Sequence, residues 1–140
     1  MDHGKRRVIE MVTGPETLDE IQHCLDEFWS ANSANSEVPE AVRMQVSIAS
    51  AEVAANIIEH AGNGRSVLMR MELLLLHDEV QISFNDNGIA ADIDLSSRHM
   101  PDVMAERGRG LALTQAVMAS VAYRRRDGEN TWTLVSERFS

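Results

Sequence analysis

Three short groups of residues could do chemistry. The first is Glu52, Asn56, Glu59 and His60, set in a stretch whose apolar residues recur every three or four positions. On a helix these four polar side chains fall within an arc of roughly 100°, beside an overlapping apolar stripe of Val42, Val46, Ala49, Val53 and Ile57. A polar stripe that borders a core, instead of opposing it, can hold a carboxylate and a carboxamide rigidly at a rim where a ligand meets them. Taken alone, a solvated helix face with Glu59 and His60 in local contact explains the pattern more simply. The second group is Asn85-Asp86-Asn87-Gly88, at the end of an apolar run. A carboxylate there can accept a hydrogen bond from an exocyclic amine, and a glycine lets backbone approach a flat ring. The same residue types also make ordinary turns. The third is Glu106-Arg107-Gly108-Arg109-Gly110-Leu111, ahead of a second helical stretch. Glycines at a helix N-terminus expose N–H groups to anions, and arginines pair with phosphate oxygens, although a flexible loop entering a helix would look alike. No Gly-Lys-Ser/Thr follows, so this is not a Walker A loop.

The elements that must position these groups can be read from periodicity and breakers. Residues 6–12 suit an edge strand, ended by Gly14-Pro15, and 16–31 a helix with Leu18, Ile21, Leu25 and Phe28 at spacings of three and four. After a polar loop at 32–36, residues 38–61 form the longest helical pattern, opened at Pro39 and stopped by Gly62-Asn63-Gly64. Residues 66–76 and 80–85 read as two strands joined by a tight turn. No period is sustained from 85 to 107, and a loop of that length in a small domain is usually functional or mobile. A helix is expected from the Gly108–Gly110 region to about 122, then strands at 121–126 and 131–137 turning at Asp127-Gly128. This alternation predicts one α+β domain over residues 1–140, a two-layer sandwich with helices on one face of a mixed, largely antiparallel sheet.

Composition narrows the function classes. The chain is 44% hydrophobic but only 4% aromatic, so its core must rest on Val, Ile, Leu, Met and Ala. A formal charge of −9 opposes direct nucleic-acid binding, which needs clustered Lys and Arg. The single cysteine, Cys24, excludes an internal disulfide and suits a buried thiol in a reducing compartment. No secretory signal or apolar run long enough for a membrane span is visible, which predicts a cytoplasmic protein with no membrane contact.

Order and spacing join the three groups. Glu-x-x-x-Asn-x-x-Glu-His on a helix, Asp-x-Gly after a strand, a long loop and then Gly-x-Gly at a helix start resemble the N, G1 and G2 boxes of the GHKL superfamily, from about Val38 to the C-terminus. Within that superfamily of Bergerat-fold ATPases the chain looks most like the anti-sigma-factor serine/threonine-protein kinases, since Glu52-x-x-x-Asn56 is followed by His60 and no phosphoacceptor helical hairpin precedes it. The resemblance implies ATP and Mg²⁺ as ligands. Asn56 would hold the metal through its carboxamide oxygen, and Glu52 would be general base toward a partner's serine, with Glu59 and His60 in support. Asp86 would bond the adenine amine, with Gly88 beneath the base. Gly108, Gly110 and Leu111 would form the phosphate cradle, Arg107 or Arg109 would add charge, and Thr131 would be the family's threonine near adenine. Residues 89–107 would be the ATP lid. The implied partners are a sigma factor and a STAS-domain antagonist phosphorylated on serine, and the implied assembly is a homodimer. Ile89-Ala90-Ala91 departs from the family's further glycine or proline and predicts a stiffer hinge, which keeps open an alternative: a catalytically weak nucleotide-binding module acting by sequestration.

Overall fold

The computed structural model describes residues 5–32, 38–91 and 105–139, the side chains of 105–109 excepted. In chain order the elements are β1 (Arg6–Val12), α1 (Thr17–Asn32), α2 (Glu40–Asn56), a π-helical turn (Ile57–Ala61) continuing α2, β2 (Leu68–Leu75), β3 (Val80–Asp86), α3 (Ala105–Val117), β4 (Ser120–Arg126) and β5 (Glu129–Val135). The strands form one sheet in the order β1-β2-β3-β5-β4.

Every neighbouring pair in that sheet is antiparallel, so the expected mixed character is corrected. Two of the pairs are local hairpins. Asp127 and Gly128 take φ of 53° and 79° between the paired residues Arg126 and Glu129, the positive-φ geometry that suits a two-residue turn to the twist of the strands. β2 and β3 reverse over residues 76–79, where Leu76 N–H donates to the Glu79 carbonyl at 2.9 Å.

Alternation along the strands decides which face is buried. In β2, Met69, Met71, Leu73 and Leu75 point inward while Arg70, Glu72 and Leu74 point to the other face. Registered rows cross the sheet on the inner side, such as Ile9, Met71, Phe84, Trp132 and Tyr123. Against them pack Ile21, Leu25 and Phe28 of α1 and Val42, Val46, Ala49 and Val53 of α2. Each of these but Ala49 stabilises the fold by roughly 1.5–3 kcal/mol when fully buried. The result is the expected two-layer α+β sandwich.

The next inner row beyond Phe84 ends the core. Met69, Asp86, Asn130 and Arg125 lie side by side there, so the apolar sheet face gives way to polar groups at one edge of the sandwich. That edge adjoins the π turn at the end of α2.

Candidate functional site

Asp86 is the last residue of β3, and its even place in the alternation turns it inward, where it is 1% exposed. Its Oδ1 accepts from the Gly88 N–H at 2.8 Å and from Asn130 Nδ2 at 2.9 Å. Its Oδ2 is buried with no hydrogen-bond partner. A buried acceptor left unmatched costs about 1–3 kcal/mol, so this oxygen is a built demand for a donor.

The turn after Asp86 is pinned to the end of the long helix. Asn87 exchanges bonds with the Leu68 backbone, its Oδ1 accepting at 3.0 Å and its N–H donating at 3.3 Å. Ile89 N–H donates to the Ala61 carbonyl at 2.7 Å. A Cβ on Gly88 would stand 2.2 Å from that carbonyl oxygen and 2.6 Å from its carbon. The missing Cβ of Gly88 therefore makes room for helix backbone. The contact brings the first and second motifs together.

Asn130 is the hub of this corner. Its Nδ2 donates to Asp86 Oδ1 and, at 2.7 Å, to the Ile89 carbonyl, while its Oδ1 accepts from the Tyr123 hydroxyl and from Arg125 Nη1. Arg125 Nη1 also donates to the Gly88 carbonyl at 2.9 Å, and the Tyr123 oxygen accepts from the Ala91 N–H at 2.9 Å. None of these three residues was singled out from the sequence. Thr131, which was, lies on the other face of the sheet, where its Oγ1 accepts from Asn85 Nδ2 at 2.9 Å. It is not brought to Asp86.

Glu52 and Asn56 sit one turn apart on α2, both half-buried. The π turn begins immediately after Asn56 and disturbs the helical phase. Glu59 is well exposed there and contacts His60 at 3.6 Å, the local pairing that the simpler explanation of the pattern foresaw. Glu52 instead meets α3: a Cβ on Gly110 would lie 2.2 Å from Glu52 Oε2. The first and third motifs thus touch through the bare face of a glycine.

The third motif differs from expectation in one respect. α3 begins at Ala105, so Gly108 and Gly110 lie within the helix and do not open it. The free N–H groups of a helix belong to its first turn, which places the Gly110 amide inside the hydrogen-bonded ladder. Ala105, Glu106 and Arg107 are better helix formers than the glycines and extend the helix ahead of them. Leu111 packs on the core, and Thr114 Oγ1 donates back to the Gly110 carbonyl at 2.8 Å. At its other end α3 stops at Val117, short of the expected 122, because β4 takes over at Ser120. The side chains of Arg107 and Arg109, and residues 92–104 of the expected lid, lie outside the described residues.

Among the described residues no group of three or more His, Cys, Asp or Glu could hold a metal ion. No described helix is long and apolar enough to cross a membrane.

The chain is similar to known proteins in sequence and in fold. The serine/threonine-protein kinase BtrW of Bordetella bronchiseptica is 28% identical over 135 residues, covering 91% of this chain and 88% of that protein. The crystal structure of the RsbU and RsbW domains of Rv1364c from Mycobacterium tuberculosis superposes with a TM-score of 0.64 at 15% identity, over 95% of this chain and 32% of that longer one. The histidine kinase domain of the Erythrobacter litoralis EL346 blue-light activated histidine kinase gives a TM-score of 0.50 at 17% identity, over 81% of this chain and 59% of the other. The family model of the histidine kinase-like ATPase domain matches residues 14–136, and the chain belongs to that family.

Proposed function

We propose that this protein binds ATP with Mg²⁺ and transfers the γ-phosphoryl group to a serine of a STAS-domain antagonist, while its other partner is a sigma factor that it sequesters. The observation that carries the nucleotide part is the buried, unpartnered Oδ2 of Asp86, an acceptor that the amino group of adenine would satisfy. The carboxamide oxygen of Asn56 is the hard donor that Mg²⁺ takes from proteins one or two at a time, with phosphate oxygens completing its shell. When bound, the metal would neutralise phosphate charge. Glu52 supplies the base: the serine oxygen attacks the γ-phosphorus, its proton passes to the Glu52 carboxylate, and ADP leaves. Phosphoryl transfer depends mainly on positioning and charge, so this short set of groups suffices. Arg107, Arg109, Gly108 and Gly110 are assigned to the phosphates. A phosphoserine brings nearly two negative charges to a chain of net charge −9, which favours release of the product. The homodimer and the cytoplasmic location belong to the same proposal.

A second reading has an observation in its favour. With the Gly110 amide inside α3, the phosphate cradle is not presented at a free helix end. A module that holds nucleotide and sequesters its partner without transferring phosphate would tolerate this. The deciding experiment measures transfer of label from γ-labelled ATP with Mg²⁺ to STAS-domain proteins of the same genome, alongside ADP binding, for wild type, Glu52→Ala, Asn56→Ala and Asp86→Asn. Transfer lost in both α2 variants, with ADP binding retained in Glu52→Ala and lost in Asp86→Asn, supports the kinase. ADP binding without transfer in the wild type supports the sequestering module, and no nucleotide binding at all overturns both.

A further inference from the structure

The polar corner at Asp86 has hydrogen-bond directions that are fixed one after another. Arg125 has only donors to give, so the atom of Asn130 that faces it must be the carboxamide oxygen. The Tyr123 oxygen accepts from the Ala91 N–H, and its one proton is given to the same Asn130 oxygen. The Asn130 amide nitrogen is thereby turned to Asp86 Oδ1 and the Ile89 carbonyl. All four hydrogen-bonding sites of Asn130 are satisfied, and Asn130 is 2% exposed. A carboxylate is otherwise free to turn about its broad terminal torsion. Here Oδ1 is held by two donors, and Oδ2 is the acceptor left over.

We propose that Asn130, oriented by Tyr123 and Arg125, is a positioning residue that fixes the Asp86 carboxylate and so sets selectivity for a purine carrying a 6-amino group. The same three side chains tie down the turn from Gly88 to Ala91, at the Gly88 and Ile89 carbonyls and the Ala91 N–H. Recognition of the base and anchoring of the turn are then one device. Strand β4, which carries none of the three motifs, contributes two of its members. The selectivity rests on the nucleotide reading of Asp86, whereas the positioning can be measured without nucleotide.

The test uses the full chain as wild type, Asn130→Ala and Tyr123→Phe. Tyr123→Phe keeps the ring against Trp132, at a centroid distance of 4.8 Å, and removes only the hydroxyl. Amide hydrogen exchange of the nucleotide-free protein is read at Gly88 and Ala91, with Leu73 and Ile82 reporting the core. Positioning requires exchange at Gly88 to rise by at least about tenfold in Asn130→Ala, and at Ala91 by as much in Tyr123→Phe, with the core amides unchanged. Exchange at both turn amides that stays at the wild-type rate overturns the positioning. Binding of ADP and IDP, which has a 6-oxo group, is then compared. Wild type prefers ADP by at least about tenfold, the value of one hydrogen bond to a charged group, and Asn130→Ala narrows the preference to about twofold with IDP affinity kept. Asn130→Ala retaining the full preference overturns the selectivity. A wild type that binds neither nucleotide overturns the selectivity together with the nucleotide reading, while the exchange result still decides the positioning. Should Asn130→Ala unfold, Tyr123→Phe answers both questions, with a reduced preference expected and an unchanged one fatal to the selectivity.

Discussion

Gly110→Ala separates a structural from a catalytic use of the same glycine. The new Cβ would stand 2.2 Å from Glu52 Oε2, 3.2 Å from its Cδ and 3.7 Å from its Cβ, so only the carboxylate end of Glu52 must move. That end is half-exposed and flexible, and clearing ordinary contact takes a displacement of about 1 Å. Replacing a glycine by alanine inside a helix stabilises it by roughly 0.5–1 kcal/mol, which offsets the small strain of turning the side chain. Urea unfolding should therefore place the variant within about 1 kcal/mol of wild type. Activity should respond very differently, because a catalytic group misplaced by about 1 Å loses on the order of 100-fold in rate. Under the kinase proposal kcat for phosphoryl transfer falls by that factor. The double variant with Glu52→Ala should be no slower than Glu52→Ala alone, since both act through one carboxylate. Transfer within about threefold of wild type would refute the link between the Gly110 face and the base. A loss of stability well above 1 kcal/mol would refute the freedom assigned to the carboxylate.

Other perturbations test other parts of the frame. Gly88→Ala meets backbone in place of a flexible side chain, with the Ala61 oxygen at 2.2 Å and carbon at 2.6 Å, so the turn and the helix end must part. Urea midpoints should fall by an amount equivalent to roughly 1–3 kcal/mol, and nucleotide binding should weaken with them. Phe84→Ala empties the middle of the inner row between Met71 and Trp132 and should cost about 3–5 kcal/mol, read from the same unfolding curves. Burial pushes the Cys24 thiol above its ordinary value, an effect offset in part by Arg7 and reinforced by Glu27. The unfolded chain then loses this proton at lower pH than the folded one, so stability is full below the ordinary value of 9.0 and declines as pH rises beyond it. Chemical denaturation between pH 8 and about 10.5 should show that decline in wild type and a shallower one in Cys24→Ala.

Much of this architecture was legible because its signals are local. Asp127-Gly128 states its own turn, and Met69, Met71, Leu73 and Leu75 state the inner face of β2 by period alone. The long helix showed the stripe that packs inward, and with it the rim position of Glu52 and Asn56. The π turn was not legible, since Ile57 to Ala61 has the composition of any helix end and its wider geometry is tied to the Ala61 carbonyl that receives Ile89. Nor was the start of α3: two glycines normally mark the edge of a helix, but packing against α2 outweighs the roughly 1 kcal/mol that each one costs. Tertiary contact at Gly110 and the better helix formers ahead of the glycines together fix that boundary.

Thr131 and Asn130 show the harder limit. A strand sends successive side chains to opposite faces, so telling which residue of β5 shares a face with Asp86 means knowing the parity of the pairing with β3. The residues facing Asp86 and Asn85 across the ladder are Asn130 and Thr131 respectively. The resemblance favoured the threonine by type. Parity becomes readable only from the apolar residues of the strand: Trp132 and Leu134 must face the core, which puts Asn130 on their side and Thr131 on the other. Applying the same rule to β3, where Ile82 and Phe84 are inward, carries Asp86 inward as well. Two polar residues with core parity at the paired ends of neighbouring strands are costly unless they satisfy one another or a ligand. Asp86 and Asn130 satisfy one another through Oδ1, and the oxygen they leave over is the reason to look for a base at this corner.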